Sequence, residues 1–281
     1  MVGINRQYYY RSFWLINEKR EVASQVIEMV NNVRIKMPRI GTKKLYFLLK
    51  EELKGLHVGR DKLFDILRAN HMLVIPRKNY HITTNSHHRF HKYKNIVENL
   101  EITKPEQVWV SDITYIEGRG NGYLALVTDA YSKRIMGYDL SNSLATEGAL
   151  RALKMACKNR IYKNHPLIHH SDRGIQYCSN KYQECLKRKN IRPSMTESYD
   201  PYANAVAERV NGILKDEFLL ENYKADIQTM KKIVKESIEI YNNQRPHLSC
   251  ELLTPSKMHM QRTIKRKTYK KTSVKLASQK F

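Results

Sequence analysis

The chain has 281 residues, 50 Lys and Arg against 27 Asp and Glu, a formal net charge of +23 and an apolar share of 41%. That apolar share is too high for a disordered chain and enough for a real core. No apolar run approaches the ~20 residues that cross a bilayer, and the N-terminus has no signal-peptide apolar region. Cys157, Cys178, Cys185 and Cys250 form no C-x-x-C pair, which argues against a disulfide scaffold or a zinc knuckle. The expectation is a soluble, basic, cytoplasmic protein without a membrane segment. The charge is uneven: residues 1–100 carry 19 basic and 8 acidic side chains, residues 101–220 carry 17 and 14, and residues 221–281 carry 14 and 5. A nearly balanced middle between two basic arms fits a catalytic body held on a polyanion by its ends. A generic RNA-binding protein has the same charge, so the middle must decide.

The first hundred residues read as helices. An amphipathic stretch from Glu18 to Lys36 stops before Pro38. A second helix, Thr42 to Leu53, has Thr42 as its N-cap and Leu45, Leu48, Leu49 and Leu53 on one face. After a turn containing Gly55 and Gly59, a third helix runs from Arg60 to Asn70, with Arg60 and Lys62 at its start. Helix, glycine-containing turn, helix is a candidate helix-turn-helix, against the plainer reading of a helical bundle. Residues 1–75 are thus expected to be a small all-α DNA-binding region, and 76–104 a basic linker.

Around residue 105 the period changes. Gln107–Ile116, Tyr123–Tyr131 and Arg134–Leu140 have the β-branched and aromatic content of strands, joined by tight turns into an antiparallel meander. Thr146–Arg160 reads as helix, Pro166–Ser171 as strand, Asn180–Lys189 as helix and Arg192–Thr196 as a last strand, before a longer helix from Pro201. The order βββ-α-β-α-β-α predicts an α/β fold, a mixed five-stranded sheet covered by helices of the RNase H-like type, over residues 105–261.

In mixed sheets ligands gather where strand ends meet helix starts, and three acids stand out there: Asp112 within the first strand, Asp172 at the end of the fourth and Glu208 on the helix after Pro201. Converging, they would concentrate roughly three negative charges, which calls for divalent cations such as Mg²⁺ or Mn²⁺. Two such ions can activate an attacking oxygen, stabilise a leaving one and hold a phosphodiester for in-line displacement. Spacing alone does not single out these acids, because Asp129, Asp139, Asp200, Asp216 and Glu217 compete. The last helix is sharper. Asp200-Pro201 supplies an N-cap and a first-turn proline. Steps of three and four then put Asn204, Glu208, Asn211 and Lys215 on one polar stripe beside an apolar one formed by Ala203, Ala207, Val210, Leu214 and Phe218. Glu208 is expected at the border of core and groove, with Lys215, Asn204 and Asn211 as candidate DNA contacts.

The segments Trp109-Val-Ser-Asp112-Ile-Thr-Tyr115, His170-Ser-Asp172-Arg-Gly174-Ile-Gln176-Tyr177 and Pro201-Tyr-Ala-Asn204-Ala-Val-Ala-Glu208 resemble the DDE transposases related to retroviral integrases. Within that group the chain is similar to the second-frame product of insertion sequences encoded in two overlapping frames. Asn5–Arg11, Gly41–Leu73, Leu214–Glu217 and Tyr241–His247 extend the likeness to about Gln261. The resemblance implies an integrase catalytic core with the triad Asp112, Asp172 and Glu208 and two divalent ions. It also implies recognition of terminal inverted repeats, cleavage to a free 3′-OH and attack of that hydroxyl on target DNA. Ala203, Arg209 and Gly59 depart from the family's commoner Asp, Ser and Ser, and none of them removes a metal ligand. A homo-oligomer on nucleoid DNA, and fusion to or partnership with the upstream-frame product, are implied as well. The alternatives are a metal-dependent nuclease of the same fold and a non-catalytic helix-turn-helix protein.

Four further features are less specific. His170, beside Asp172, is a candidate support for the site or a structural strand-end residue. His87, His88 and His91 read as solvated linker histidines. Arg245, in Arg245-Pro246-His247, is a candidate for either packing or DNA contact. The tail 262–281, with eight Lys and Arg and no acid, is expected to bind phosphates without sequence preference.

Overall fold

In the computed structural model the described residues are 5–75, 91–98, 100–117, 122–196 and 205–261. The expectations for His87, His88, Asp200, Pro201, Ala203, Asn204 and the tail 262–281 lie outside them. No described helix is long and apolar enough to cross a membrane.

Helix α1 (Arg6–Lys36) ends before Pro38 as expected but begins twelve residues earlier than its amphipathic part. Residues 6–17 contain no Gly or Pro to stop it, and the Asn5 side chain caps it by accepting the Gln7 N–H at 3.0 Å. The single helix expected from Thr42 is two, α2 (Thr42–Leu48) and α3 (Lys50–Gly55), bent at Leu49, which lets Leu45, Leu49 and Leu53 all turn inward. Gly41, rather than Thr42, occupies the cap position. After a turn through His57 in the left-handed region (φ 52°), α4 (Arg60–Ala69) starts from Gly59. Val26, Val30, Leu45, Leu53, Leu63 and Leu67 close this helical unit with no exposure at all.

The five expected strands all form: β1 (Val108–Ile116), β2 (Gly122–Asp129), β3 (Ile135–Ser141), β4 (Leu167–Ser171) and β5 (Ile191–Met195), in the order β3-β2-β1-β4-β5. β2 pairs antiparallel with β1 and β3, while β1–β4 and β4–β5 are parallel. Pro193 donates no ladder bond, and it sits in β5, an edge strand that tolerates it. One face is covered by α5 (Thr146–Lys158), α6 (Ile175–Cys178) and α7 (Asn180–Arg188). The helix α5 lies so close that a Cβ on Gly137 of β3 would stand 2.1 Å from the Ala152 carbonyl oxygen. Hence α5 turns Gly148, Ala149, Ala152 and Ala156 toward the sheet. α8 (Ala205–Asp216) packs on β1 and β2, and α9 (Ile227–Asn243), not delineated from sequence, packs on β3. α10 (Pro255–Met260) is anchored by buried His259, whose Nδ1 lies 2.9 Å from the Ser132 hydroxyl and whose Nε2 lies 3.3 Å from Glu106.

The helical unit and the sheet share one continuous apolar cluster, and a buried charge cluster ties them together. Glu217, just past α8, accepts from Lys44 of α2 at 2.8 Å and from Arg245 at 2.7 and 2.9 Å, while its carbonyl accepts the Arg39 N–H at 3.0 Å. Arg245 is 1% exposed. Its guanidinium is therefore a packing element, which corrects the DNA-contact alternative for this residue. Burial works to raise the Glu217 carboxyl, but Arg245 and Lys44 outweigh it and hold it below the ordinary carboxylate range. Its stabilisation is thus present above the usual value near ~4.3 and lost as pH falls through the depressed one. Glu217→Gln leaves two buried cations short of a partner and should lower unfolding stability by about 3–5 kcal/mol at neutral pH, with a weaker acid-side decline than the parent. Denaturant unfolding across pH measures both, and a loss below ~1 kcal/mol would contradict the role.

Candidate active site

Asp112 and Asp172 are 60 residues apart in sequence and become neighbours because β1 and β4 run parallel in register. The last register pair is Ser111 with Ser171, so the next residue on each strand is one of the two acids. Adjacent strands lie about 4.8 Å apart, which puts the two carboxylates side by side. Each is half-buried and each has one oxygen fixed by a backbone N–H: Ile113 to Asp112 at 2.9 Å, Gly174 to Asp172 at 3.0 Å. From the other side α8 delivers the Asn211 amide, which donates to the second Asp112 oxygen at 2.7 Å.

The electrostatics follow from this placement. Burial, then the Asp172 charge, push the Asp112 carboxyl up to about 7; the Ile113 N–H and Asn211 oppose the shift, and Glu208 adds to it. Glu208 lies on α8 one turn before Asn211, exposed to solvent, and its own carboxyl is raised by partial burial. Asp112 therefore feels Glu208, but among the described residues no three His, Cys, Asp or Glu side chains stand close enough to cage a metal ion. The structure brings Asp112 and Asp172 together and sets Glu208 at the rim.

Under the acids lies a floor that the sequence did not announce. His169 pairs in register with Trp109, and its Nε2 meets the Ser111 hydroxyl at 2.8 Å and the Tyr182 hydroxyl at 2.9 Å. Burial, with His170 beside it, lowers His169 to about 3, so the ring is neutral. Tyr177 stacks edge-on to Tyr182 at 5.4 Å, and burial holds its phenol protonated. No motif spacing marks these residues; only the strand register does.

The other candidates are dispersed. Asn211, expected on a DNA-facing stripe, is 5% exposed and its amide is spent on Asp112, a correction from DNA contact to support of the acid. Lys215 reaches Glu221 at 2.7 Å. Arg60 is exposed and pairs with neighbouring Asp61; Lys62 is exposed. His170 is buried, with Nδ1 at 2.9 Å from the Ser194 hydroxyl across β4 and β5. His91 is exposed with its ring 4.8 Å from Tyr93. Of the competing acids, Asp129 holds the Ser132 turn and Asp139 is bridged by Arg151, so both are engaged in structure.

Two models described as integrase core domain match residues 102–201 and 189–255. The chain is 32% identical over 261 residues to an insertion element IS600 uncharacterized 31 kDa protein of Shigella sonnei, covering 90% of this chain and 94% of that one. It is 37% identical over 165 residues to the transposase InsF for insertion sequence IS3A of Escherichia coli K12, covering 58% and 57%. Among solved structures, a simian T-cell lymphotropic virus intasome is similar in fold, with a TM-score of 0.50, 20% identity and coverage of 82% and 79%. The matched models and the shared fold define an integrase core domain. The chain belongs to the insertion-sequence DNA transposases that carry this domain.

The Asn211 contact makes a direct test of the electrostatics. Titrated by carboxyl NMR without divalent cations, Asp112 should ionise near 7, and Asn211→Ala should move that value upward, because the amide favours the charged form. An Asp112 value near ~4, or no change in the variant, would contradict the arrangement.

Proposed function

We propose that this transposase cleaves at the ends of its element and joins the freed 3′-OH to a second phosphodiester, with Asp112, Asp172 and Glu208 as the catalytic carboxylates. The observation that supports this most is the parallel register that sets Asp112 beside Asp172 at the edge of α8. Two acids so placed repel each other, and an all-carboxylate set of hard oxygens suits Mg²⁺ or Mn²⁺. Two such ions, held by Asp112 and Asp172 with Glu208 completing the set from α8, would supply Lewis acidity to the attacking and leaving oxygens. The protein's own groups do the rest. Ile113 N–H, Gly174 N–H and Asn211 orient the carboxylates before DNA arrives, so little reorganisation is needed on binding. The neutral floor of His169, Tyr177 and Tyr182 adds no competing charge.

DNA is held, in this reading, by the helical region 1–75, with Arg60 and Lys62 at the exposed start of α4, and by the tail 262–281. Lys215, on the Glu208 stripe of α8, faces phosphates near the reacting bond and exchanges Glu221 for phosphate; Asn204, expected on the same stripe from its spacing, would serve the same end. The acting form is an oligomer on the two element ends, fused to or partnered by the upstream-frame product.

The test uses labelled element-end DNA, target DNA and Mg²⁺ or Mn²⁺, with the upstream-frame product supplied. Asp112→Asn, Asp172→Asn and Glu208→Gln should each reduce joined product by about 1,000-fold or more while retaining end binding within a few-fold. Substantial metal-dependent joining by any one of them removes that residue from the set. Cleavage without joining in the parent would make the protein a nuclease, and a mobility shift without products a binder.

A further inference from the structure

The side of the sheet away from the acids carries a charge of its own. Asp112 stands opposite Leu126 in the ladder, so both point to the side where α8 and α9 pack. Ala125 and Val127 of the same strand point the other way, onto α5 and α7. On that second side α5 and α7 leave a groove of about 1140 Å³ between them. Lys154 and Lys158 line it from α5, Lys163 from the loop that follows, and Lys181, Arg188 and Lys189 from α7. With Arg160 the groove gathers seven cations around a single acid, Glu184. This is not the general basicity of the chain. Residues 101–220 hold 17 basic and 14 acidic side chains, so the groove leaves 10 and 13 for everything else in that segment. Arg160 is spent on Glu106, Lys181 on Glu147 and Arg188 on Glu184. Lys154, Lys158, Lys163 and Lys189 are exposed and have no ion pair among the described residues. Burial, then Cys185, push the Cys157 thiol on the groove floor up to about 11, while Lys189 and Arg160 oppose the shift, so cations from both walls converge there.

We propose that this groove holds the phosphate backbone of duplex DNA without sequence preference, on a segment other than the one at the acids. Four unpaired lysines around one groove repel each other, and a polyanion relieves all four at once. Lysine meets a phosphate as a point charge and reads no base, so such a surface positions DNA without selecting it. Lys154 and Lys158 stand one turn apart, about 6 Å along α5, and form a short row of charge rather than a single point. An acidic protein helix is the poorer occupant, because it needs apolar anchors. The floor offers it only half-buried Leu150, Cys157 and Cys185 and buried Ile191. The inference rests on the reading that the chain acts on DNA, and not on its triad. Joining brings two duplex segments to one protein, and a core that binds phosphate on both sides of its sheet holds both.

Lysine acetylation of the full chain, read by mass spectrometry without divalent cations, tests the groove directly. Element-end duplex and unrelated duplex should each slow acetylation of Lys154, Lys158, Lys163 and Lys189 several-fold and to the same degree. Lys154→Gln, Lys158→Gln, Lys163→Gln and Lys189→Gln together should weaken binding of unrelated duplex about ten-fold or more and lower the slope of log affinity against log salt by about 2–4. Gln at Lys224, Lys231, Lys232 and Lys235, which are exposed on and just before α9, removes the same charge and should cost less than about three-fold. No protection by either duplex, or an equal loss from the two sets of substitutions, would overturn the proposal. Protection by the element end alone would overturn it in favour of end recognition. Protection by polyglutamate and by neither duplex would overturn it in favour of an acidic protein. Should the groove variant disturb folding by circular dichroism, acetylation of the parent still decides. Neither readout involves metal or chemistry, so a failed triad leaves them intact, and their failure leaves the triad standing.

Discussion

Everything in this molecule leads to the parallel contact between β1 and β4. Two carboxylates brought side by side in half-buried ground repel each other, and an apolar pair at these positions would be more stable. The sheet holds them there through a register that every neighbouring side chain reinforces. Ser111 and His169 bond across the two strands, Tyr182 closes over His169, and His170 ties β4 to Ser194 of β5. Burial, and then the neighbouring Asp172 charge, raise the Asp112 carboxyl in this placement.

The second constraint is the docking of α8. Its apolar stripe, with Val210 and Leu214 buried, fixes which way the polar stripe faces. Its far end is pinned by Glu217 between Arg245 and Lys44, so the helix that carries Glu208 is held at once by the N-terminal helices and by the segment after α9. The joint is buried and charged, so removing one partner leaves a charge alone.

Much of this arrangement was legible in the sequence. Strand identities, their order and the position of Asp112 within the first strand and Asp172 at the end of the fourth follow from β-branched runs broken by turns. The polar stripe on α8 was also readable, since period alone determines which residues share a face. Period does not say what that face meets. By period alone Asn211 shares a face with the DNA candidates, whereas its amide serves Asp112, and that contact depends on how α8 crosses β1. Arg245 stays open in the sequence for the same reason: an Arg-Pro-His run after a helix looks the same whether it points outward or is buried on a glutamate 28 residues upstream, and the structure shows the packing alternative. The early start of α1 is not legible because its first half lacks a one-sided apolar pattern; apolar residues stand all round it, and periodicity marks only a helix with one apolar face.

The most direct measurement of the central claim is anomalous diffraction from crystals grown with Mn²⁺. The account predicts peaks between the Asp112 and Asp172 carboxylates, with Glu208 drawn to the same ions at the ordinary metal–oxygen distance of about 2.1 Å. Saturating Mn²⁺ that leaves those carboxylates bare, or that collects on other side chains, would contradict it.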